Sequence, residues 1–480
     1  MNEKIKRVTG YLKRNGLKDT IIKVSEKYRQ DKDEAFYNEE FGMLRVRDEE
    51  LSKQREESFT HSYKFSILVP AYETNPIYLI DLLESVTEQS YKNWELIIAD
   101  GSKTGIVRRT IEDYKESLDN SALASCIKYI PLSENGGISE NTNAALDAAS
   151  GEYIGLLDHD DILEKDALYE IMKVLEANLY EENNVYTNKI KVIYTDEDKT
   201  NADNTEYFCP HYKPDFNMDL LRSNNYICHF LVVRTSLARK VGGFNSDYDG
   251  AQDYDFILRL VENIPVSAIY HIDKVLYHWR CHSKSTASNP DSKLYAYESG
   301  KRAVTSHLKR KGINAEVSDT KHLGFYRVRY SLENATIRHL SRKEWDDMNG
   351  DELKNIPEDF IMVLSSDLVS LSSDYMDEMT SVMSRYEVGC VGGKIYDKRG
   401  RVESAGFMID DNGDFAPEYA GLNGHFSGYM HRASLMRKVD GVSLDCMLIR
   451  KSAIDFNDDK KTLAKGYITI FDPYAEFRRK

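Results

Sequence analysis

The chain lacks any apolar run that approaches the roughly 18 residues of a membrane-spanning helix. Its N-terminus also lacks the apolar core of a secretory signal peptide. The six cysteines are scattered, without the CxxC spacing of a structural zinc site or the density of a disulfide framework. These absences argue against an integral membrane protein and against export by that route, and they favour a reducing, cytoplasmic location.

An excess of basic residues is missing too. Lysine and arginine number 64 against 79 aspartates and glutamates, which gives a formal net charge of -15. Nucleic-acid-binding proteins normally present a basic surface, so we expect no nucleic-acid partner. Hydrophobic residues make up 41% of the 480, which is enough for two or three globular domains with well-formed cores.

Residues 1–29 reverse the sign of the chain, because lysine and arginine outnumber acidic residues there. Apolar residues recur at approximately helical spacing, interrupted at Gly10 and Gly16, which predicts short amphipathic helices. One interpretation is peripheral contact with anionic lipid at the inner face of the plasma membrane. The other is an extension packed on the main domain with a solvated basic face. Together with the acidic stretch that follows, residues 1–60 are predicted to form a helical extension.

Strand and helix patterns alternate from about residue 64 onward. The β-branched run Phe65 to Val69 stops at Pro70, and the apolar run Trp94 to Ala99 stops at Asp100. A third strand is expected near residues 126–132 and a helix near residues 139–149. Alternation of this kind predicts an α/β, Rossmann-like, mostly parallel sheet with helices on both faces. We assign this domain to residues 61–320.

The central stretch of this domain is the apolar run from Tyr153 to Leu157, which ends in Asp158-His159-Asp160-Asp161. Ligands bind outside the carboxyl ends of strands in open α/β sheets, and crowded carboxylates there repel one another unless a cation lies between them. Hard divalent ions such as Mg²⁺ or Mn²⁺ favour such oxygen ligands. The alternative is an aspartate-rich turn that caps the next helix.

Three later segments carry further polar groups. The strand from Lys191 to Tyr194 is followed by Asp196-Glu197-Asp198, a helix begins near Gln252-Asp253, and a strand from Val275 ends in His278, Arg280 and His282. The acidic triplet is predicted to hold an acceptor or to form a solvated turn. Asp253 is a candidate general base or a helix N-cap.

Over about residues 65–287 these motifs resemble the family-two glycosyltransferases, inverting enzymes of GT-A fold, particularly bacterial members that build surface polysaccharides. The matching segments are Val69-Pro70-Ala71-Tyr72, Asp100-Gly101-Ser102, Asp158-His159-Asp160, Gln252-Asp253 and Tyr277-His278-Trp279-Arg280. Each segment is short, but five in order with family-like spacing make a specific signal. Many members carry paired aspartates where this chain has Ala99 before Asp100.

The resemblance implies a role for each segment. It implies that Asp253 is the catalytic base and that the Asp158-His159-Asp160 segment contacts the ribose and coordinates Mn²⁺ or Mg²⁺, with Asp160 as the expected metal ligand. From its residue type, His278 is a further candidate metal ligand, with a structural role as the alternative. Arg280 is expected to clamp phosphate. Asp196, Glu197 and Asp198 are the candidate acceptor contacts. The residues expected to bind the nucleotide sugar are Pro70, Tyr72, Asp100, Ser102, Asn135, Asp158, His159 and Arg280.

Residues 321–480 contain fragments that resemble a second transferase unit, such as Met362 to Asp367 and Cys446 to Ser452. Only about forty residues separate the first unit from Asp367, so the second unit is expected to lack its base-binding strands and to be non-catalytic. It is predicted to bind glycan, to pair subunits as a homo-oligomer or to cover the first domain. The alternative is that these short matches are ordinary strand and turn similarity.

The resulting prediction is an inverting, metal-dependent enzyme that transfers a hexosyl or deoxyhexosyl group from a nucleotide diphosphate sugar donor. Its acceptor is expected to be a growing bacterial surface glycan, or a lipid-linked glycan. One alternative is a sugar nucleotidyltransferase, but such enzymes usually have a Gly-rich basic loop after the first strand, and residues 71–75 are neither. The other is a non-catalytic scaffold that binds glycan or nucleotide sugar.

Overall fold

The computed structural model describes residues 3–182, 185–282, 294–331, 335–410, 412–456 and 463–480. Met1 and Asn2 of the predicted lipid-contacting segment, and residues 283–287 of the region of resemblance, lie outside the described residues. The chain divides into two compact units. The first contains residues 1–10, 31–216 and 225–307, and the second contains residues 11–30, 217–224 and 308–480. The second unit therefore begins before the predicted boundary at 321, and the predicted extension 1–60 is shared between the two units.

The described helices and strands follow in chain order. Up to residue 163 they are α1 (Glu3–Asp33), α2 (Tyr37–Leu44), α3 (Asp48–Glu56), β1 (Phe65–Ala71), α4 (Pro76–Thr87), β2 (Trp94–Asp100), α5 (Ile106–Ser117), α6 (Ser121–Ser125), β3 (Ile127–Pro131), α7 (Ile138–Ala148), β4 (Tyr153–Leu156) and β5 (Ile162–Leu163). From there to residue 310 they are α8 (Ala167–Ala177), β6 (Leu179–Glu182), β7 (Val185–Asn188), β8 (Val192–Thr200), β9 (Tyr207–His211), α9 (Met218–Ser223), β10 (Leu231–Arg234), α10 (Thr235–Lys240), α11 (Gln252–Val261), β11 (Ile269–Arg280) and α12 (Leu294–Arg310).

The remaining elements belong to the second unit. They are β12 (Ala315–Asp319), β13 (Tyr326–Tyr330), β14 (Ile337–Leu340), α13 (Arg342–Asp347), α14 (Gly350–Lys354), β15 (Phe360–Leu364), β16 (Leu368–Ser370), α15 (Tyr375–Met383), β17 (Val388–Tyr396), β18 (Val402–Ser404), β19 (Phe407–Ile409), β20 (Phe415–Pro417), β21 (Arg437–Val439), β22 (Cys446–Arg450) and β23 (Ile468–Arg479).

The sheet of the first unit has the order β3-β2-β1-β4-β10-β8-β11-β5, with β9 paired to β8. Strands β1 to β4 are parallel, as the alternation with helices predicts. Strand β10 is antiparallel to both β4 and β8, but β8 and β11 are parallel to each other and run in the same direction as β1 to β4. Most strands of this mixed sheet therefore share one direction, which confirms the predicted mostly parallel sheet. The sequence pattern does not reveal the opposite direction of β5, β9 and β10.

The core of this sheet packs tightly enough to require glycine in β4. A Cβ atom on Gly155 would lie 2.8 Å from the ring of Phe230, which is fully buried. Each added side chain at such a position costs strain or displaces a core ring. The strand that leads to Asp158 is thus fixed against its neighbours on both sides.

The sheet of the second unit has the order β14-β15-β22-β17-β23-β16. Pair by pair, the strand directions match those of β1-β4-β10-β8-β11-β5 in the first unit, including parallel β17 and β23. Strand β18 pairs with β17 as β9 pairs with β8. Among the described strands, β2 and β3 have no counterpart, because β14 ends the sheet. A truncated second α/β unit is therefore present, as predicted, although it does retain a counterpart of β1.

Candidate functional site

The ends of the parallel strands open into a cleft of about 900 Å³ in the first unit. The register places Ala71 beside Asp100 and Leu68 beside Leu156, so the segments after β1, β2 and β4 meet at one edge of the sheet. The cleft is lined by Pro70, Ala71, Tyr72, Glu73, Thr74, Asn75, Pro76, Tyr78, Ile106, Asn135, Gly137, Ile138, Asn141, Asp158, His159, Asp160, Trp279 and His282. Six of the predicted donor and metal residues are in this lining.

Asp100 and Ser102 support the wall of the cleft and are not among its described lining residues. The carboxylate of Asp100 accepts hydrogen bonds from the Ser102 amide at 2.9 Å and from the Tyr129 hydroxyl at 3.0 Å. A Cβ atom on Gly101 would lie 2.9 Å from the Cα of Asn135, so glycine lets the two loops approach. The turn after β2 therefore sets the position of Asn135.

Strand β11 holds the Asp158-His159-Asp160-Asp161 turn in place. Asp161 is fully buried and accepts hydrogen bonds from the Tyr277 hydroxyl at 2.5 Å and from the Arg280 amide at 2.8 Å. Burial, followed by the negative charges of Asp160 and Asp158, raises the pKa of Asp161 well above its usual value. Both carboxylate oxygens of Asp161 thus connect the turn to β11 by hydrogen bonds.

Arg280 also acts on this turn. It is fully buried, and its guanidinium donates to the carbonyls of Asp160 and Ala202 and to the carboxylate of Asp81, at 2.6 to 2.7 Å. Its Cζ lies 4.7 Å from the centre of the Tyr78 ring. These contacts are those of a residue that fixes the turn, and a phosphate clamp formed by Arg280 stays a prediction.

Asp160 faces a histidine that the sequence analysis did not select. Its Oδ2 lies 2.7 Å from Nε2 of His282, and both side chains are largely buried in the cleft wall. Although burial opposes ionisation, the hydrogen bond from His282 and the nearby His159 lower the pKa of Asp160. An ionised carboxylate beside an imidazole nitrogen is a donor set suited to a divalent transition-metal ion.

His278 lies in the sheet, away from this pair. It is fully buried, with Nδ1 2.6 Å from Asp198 and Nε2 3.0 Å from Glu164. Burial opposes its charged form, but Asp198 and Glu164 raise the pKa of His278 to about 9. With each ring nitrogen bonded to a carboxylate, this histidine has the structural role that was its alternative, so the metal site proposed below does not include it.

The acidic triplet is internal to β8 rather than beyond its end, which corrects the expected strand boundary and excludes a solvated turn. Asp196 contacts His271 and the Lys213 amide, and Asp198 contacts Tyr37 and His278. Burial would raise the pKa of Glu197, but the positive charge of Lys213 and the other partners of this carboxylate lower it. All three carboxylates are buried and paired, so the geometry gives no support to acceptor binding by Asp196, Glu197 or Asp198.

Asp253 lies in the first turn of α11, after the N-cap residue Ala251. Its Oδ2 accepts a hydrogen bond of 2.7 Å from Asn225. Burial first, and then the negative charge of Asp158, raise the pKa of Asp253, while His229 opposes the shift. A carboxylate near Asp158 with a raised pKa has the properties of a general base.

Two groups of side chains in this region could hold a cation. Asp158, Asp161 and His229 have potential ligand atoms within 4.8 Å of one another. In that group Asp161 already accepts bonds at both oxygens, whereas the Asp160–His282 pair lines the cleft directly. The donor types fit a divalent ion at either position, and the pair is the more accessible from the cleft.

Some residues of the cleft wall have a buried polar atom that forms no hydrogen bond with the described residues. Among the described residues, Thr74 Oγ1, Asn141 Oδ1 and His159 Nδ1 are buried without a hydrogen bond. Such atoms are uncommon in native structures and often mark a missing ligand or water. The described lining also contains no lysine or arginine, but three carboxylates, from Glu73, Asp158 and Asp160. An anionic ligand would therefore require a cation beside it.

Comparison with known sequences matches residues 66–242 to the family described as "Glycosyl transferase family 2". An uncharacterised protein of Sinorhizobium fredii is 30% identical over 86% of this chain and 52% of its own length. An O-antigen biosynthesis protein of Myxococcus xanthus is 28% identical over 81% of this chain and 34% of its own. A hyaluronan synthase of Pasteurella multocida is 26% identical over 59% and 24%. The chain spans about a quarter to about half of the length of these relatives.

Two solved structures align with the chain at low scores. TarS residues 1–349 of Staphylococcus aureus are 20% identical with a TM-score of 0.37, covering 51% of this chain and 65% of that one. A mannosyltransferase of Pyrobaculum calidifontis, solved with GDP-Man and Mn²⁺, is 15% identical with a TM-score of 0.37, covering 54% and 69%. The similarity to family 2 glycosyltransferases therefore rests on the sequence match over residues 66–242.

Proposed function

Because residues 66–242 match the family 2 glycosyltransferase model, we propose that the protein transfers a sugar from a nucleotide diphosphate sugar to a growing bacterial surface polysaccharide or lipid-linked glycan, with inversion at the anomeric carbon. The observation that carries the proposal is electrostatic and geometric. Asp158 lines the cleft together with Asp160 and His282, and the same Asp158 acts on the pKa of Asp253. Asp253 itself is not among the described lining residues, so its electrostatic interaction with Asp158 is the observation that links the candidate base to the candidate cation site.

The cation would be held by Asp160 and His282. A divalent ion there would act as a Lewis acid on the diphosphate leaving group. Contacts within the protein would hold Asp160 in position before the ion binds. The Arg280 guanidinium donates to the carbonyl of Asp160, and the Arg280 amide donates to the carboxylate of Asp161 in the same turn. Support from such outer contacts is what keeps metal ligands oriented.

Asp253 would receive the proton of the acceptor hydroxyl as that oxygen attacks the anomeric carbon. Its raised pKa improves its basicity, and the bond from Asn225 orients it. The donor would lie along the wall formed by Tyr72, Asn135 and His159. Thr74 and Asn141, each with a buried polar atom that has no partner among the described residues, belong to the same lining. Asp100 and Ser102 would influence nucleoside binding indirectly, because their turn positions Asn135 in this wall.

The test begins with a panel of nucleotide diphosphate sugars in the presence of Mn²⁺, scored by released nucleoside diphosphate. Release of pyrophosphate instead would favour the nucleotidyltransferase alternative. Calorimetry of nucleotide binding with and without Mn²⁺ should show that Asp160→Ala and His282→Ala each lose the metal-dependent part of the affinity. His339→Ala, an exposed histidine of the second unit, is the matched control. Wild-type affinity in both cleft variants would exclude this metal site.

We also propose peripheral contact with anionic lipid. Leu12, Leu17, Ile21, Val24 and Tyr28 lie exposed on α1, and exposed lysines and arginines flank them. An apolar stripe bordered by cations is the pattern of a helix that lies in a membrane interface. Among the described residues, no helix combines the length and apolar character needed to cross a membrane. Pairing of subunits through residues 321–480 stays a prediction.

A further inference from the structure

The second unit contains a cavity of about 730 Å³ that the proposed transfer reaction does not use. Its floor is the sheet face formed by Lys394 and Tyr396 of β17 with Tyr474 and Glu476 of β23. Lys18 and Lys23 of α1 line its opposite side. The volume is within the range of sites that enclose small ligands.

Lys394 is the unusual residue of this cavity. The residue is only 3% exposed and lines the cavity, and among the described residues its ammonium group has no hydrogen-bond or ion-pair partner. Its Nζ lies 5.3 Å from the centre of the Tyr396 ring. Burial lowers the pKa of Lys394 to about 8, although Glu476 acts in the opposite direction. Burying an ammonium without a hydrogen-bonded counter-charge is costly, so this position favours an anionic partner.

Other groups around Lys394 indicate the same kind of ligand. Among the described residues, His322 Nε2, Arg327 Nε and Tyr474 Oη are buried in the cavity lining without a hydrogen-bond partner. The acidic groups of the lining are already occupied. Asp19 pairs with Lys321 at 3.1 Å, and Glu26 accepts bonds from the amides of Ser427 and Gly428. The unused capacity is therefore mainly that of donors.

The first unit shows that the fold does not require a cavity at this position. Tyr396 and Arg478 are register partners on β17 and β23, as Asp198 and His278 are on β8 and β11. In the first unit this face is filled, because Tyr37 bonds to Asp198 and Phe41 packs against His278. The corresponding face of the second unit has lysine and tyrosine in place of the paired carboxylates and stays open.

We propose that the cavity of the second unit is a separate binding site for an acidic saccharide, a segment of the acceptor glycan whose carboxylate or phosphate group pairs with Lys394. The aromatic rings of Tyr11, Tyr396 and Phe426 in the lining provide faces for sugar rings. The identity of the saccharide as acceptor rests on the proposed function. The site itself is defined by the buried lysine and its neighbours.

Calorimetry on the full chain without nucleotide tests the site. The probe is a hexasaccharide of alternating glucuronic acid and N-acetylglucosamine, compared with the same hexasaccharide after reduction of its carboxyl groups and with inorganic phosphate. We expect the acidic form to bind and Lys394→Met to weaken it about tenfold or more, because one desolvated charge pair is lost. Lys398→Met, an exposed lysine after the same strand, should bind as the wild type does.

Tyr474→Phe is a second variant that keeps the packing and removes the unpaired hydroxyl, and it should also weaken binding. Asp160→Ala should leave this affinity unchanged, so failure of the transferase proposal and failure of the cavity proposal can be told apart. No binding of the acidic hexasaccharide, equal binding of its reduced form, or wild-type affinity in Lys394→Met would each overturn the proposal. Binding of phosphate alone would reduce the site to an anion site.

Discussion

At the scale of single residues, Asp253 illustrates how surroundings prepare a carboxylate for chemistry. Its carboxylate accepts a hydrogen bond from Asn225, burial raises its pKa, and it interacts electrostatically with Asp158. It is not one of the proposed metal ligands. Replacement by asparagine keeps the shape and removes the basicity. We expect Asp253→Asn to lower kcat by about a thousandfold, within the range for removing a general base, with little change in donor affinity.

The pH dependence of wild-type kcat provides a second check on this residue. A base must be ionised, so activity should fall as pH decreases through the pKa of Asp253. Because burial raises that pKa, the fall should begin above the pH range of an ordinary aspartate near 4. A rate that stays constant down to the ordinary aspartate range, or an Asp253→Asn variant with unchanged turnover, would remove Asp253 from the mechanism. Asp255→Asn is not a suitable control variant, because this substitution would remove the ion pair between Asp255 and Arg259.

Asp158, Asp160 and Asp253, which the sequence motifs indicate, stay predictions, and residue types and spacing do not separate His278 from His282. Both histidines end the same polar segment. The difference is that His278 pairs in the sheet with Ile162 of β5, whereas His282 lies beyond the end of β11 at Arg280. The same limitation applies to Asp196 and Asp198, whose partners Lys213, His271 and Tyr37 are distant or on other elements. A local sequence pattern does not predict which side chains distant residues will bury and pair with.

At the scale of elements, the strands near the cleft followed their sequence patterns closely. Strands β1 and β2 extend one or two residues beyond their predicted ends, and α7 lies within one residue of its prediction. The antiparallel insertion of β10 and the full length of β11 were not predicted, since both depend on pairing between distant segments. Short helices interrupted at Gly10 and Gly16 were expected from the spacing, and the structure has non-helical backbone within α1 at Gly16 but not at Gly10. The structure adds which residues of α1 are exposed.

The exposed stripe of α1 leads to a prediction for membrane binding. Leu17→Ser combined with Ile21→Ser leaves the charge unchanged and removes apolar area, so binding to vesicles containing anionic phosphatidylglycerol should fall several-fold. Turnover with a soluble acceptor should be unaffected. Val266→Ser, an exposed apolar residue of the first unit, is the control. Co-sedimentation of the double variant at the wild-type level would contradict lipid contact by this stripe.

At the scale of the whole molecule, the chain contains one complete and one incomplete copy of the same sheet. The second copy keeps Asp367 after β15, but Arg479 donates to both of its oxygens, and also to Glu403 and Asp445. A guanidinium thus stands among carboxylates near the turn that corresponds to Asp158–Asp160. The described residues between β22 and β23 also contain no α-helix, so a counterpart of α11 is missing there.

This asymmetry predicts one donor site per chain. Calorimetric titration of the donor in the presence of Mn²⁺ should give a stoichiometry of one. Asp367→Ala should keep wild-type nucleotide affinity and kcat, in contrast to Asp160→Ala, because Asp367 is already paired with Arg479. A stoichiometry of two, or loss of nucleotide binding in Asp367→Ala, would show that the second unit also binds donor.

Because β14 ends the second sheet, one side of this strand has backbone groups with no neighbouring strand among the described residues. Open edges of this type recruit strands from other molecules and lead to aggregation unless they are short or charged. Strand β14 has only four residues, and its middle positions are the exposed Arg338 and His339. The edge at which the second sheet ends is therefore short and charged, which discourages sheet extension. Any self-association through this unit should use side chains rather than a shared β-sheet.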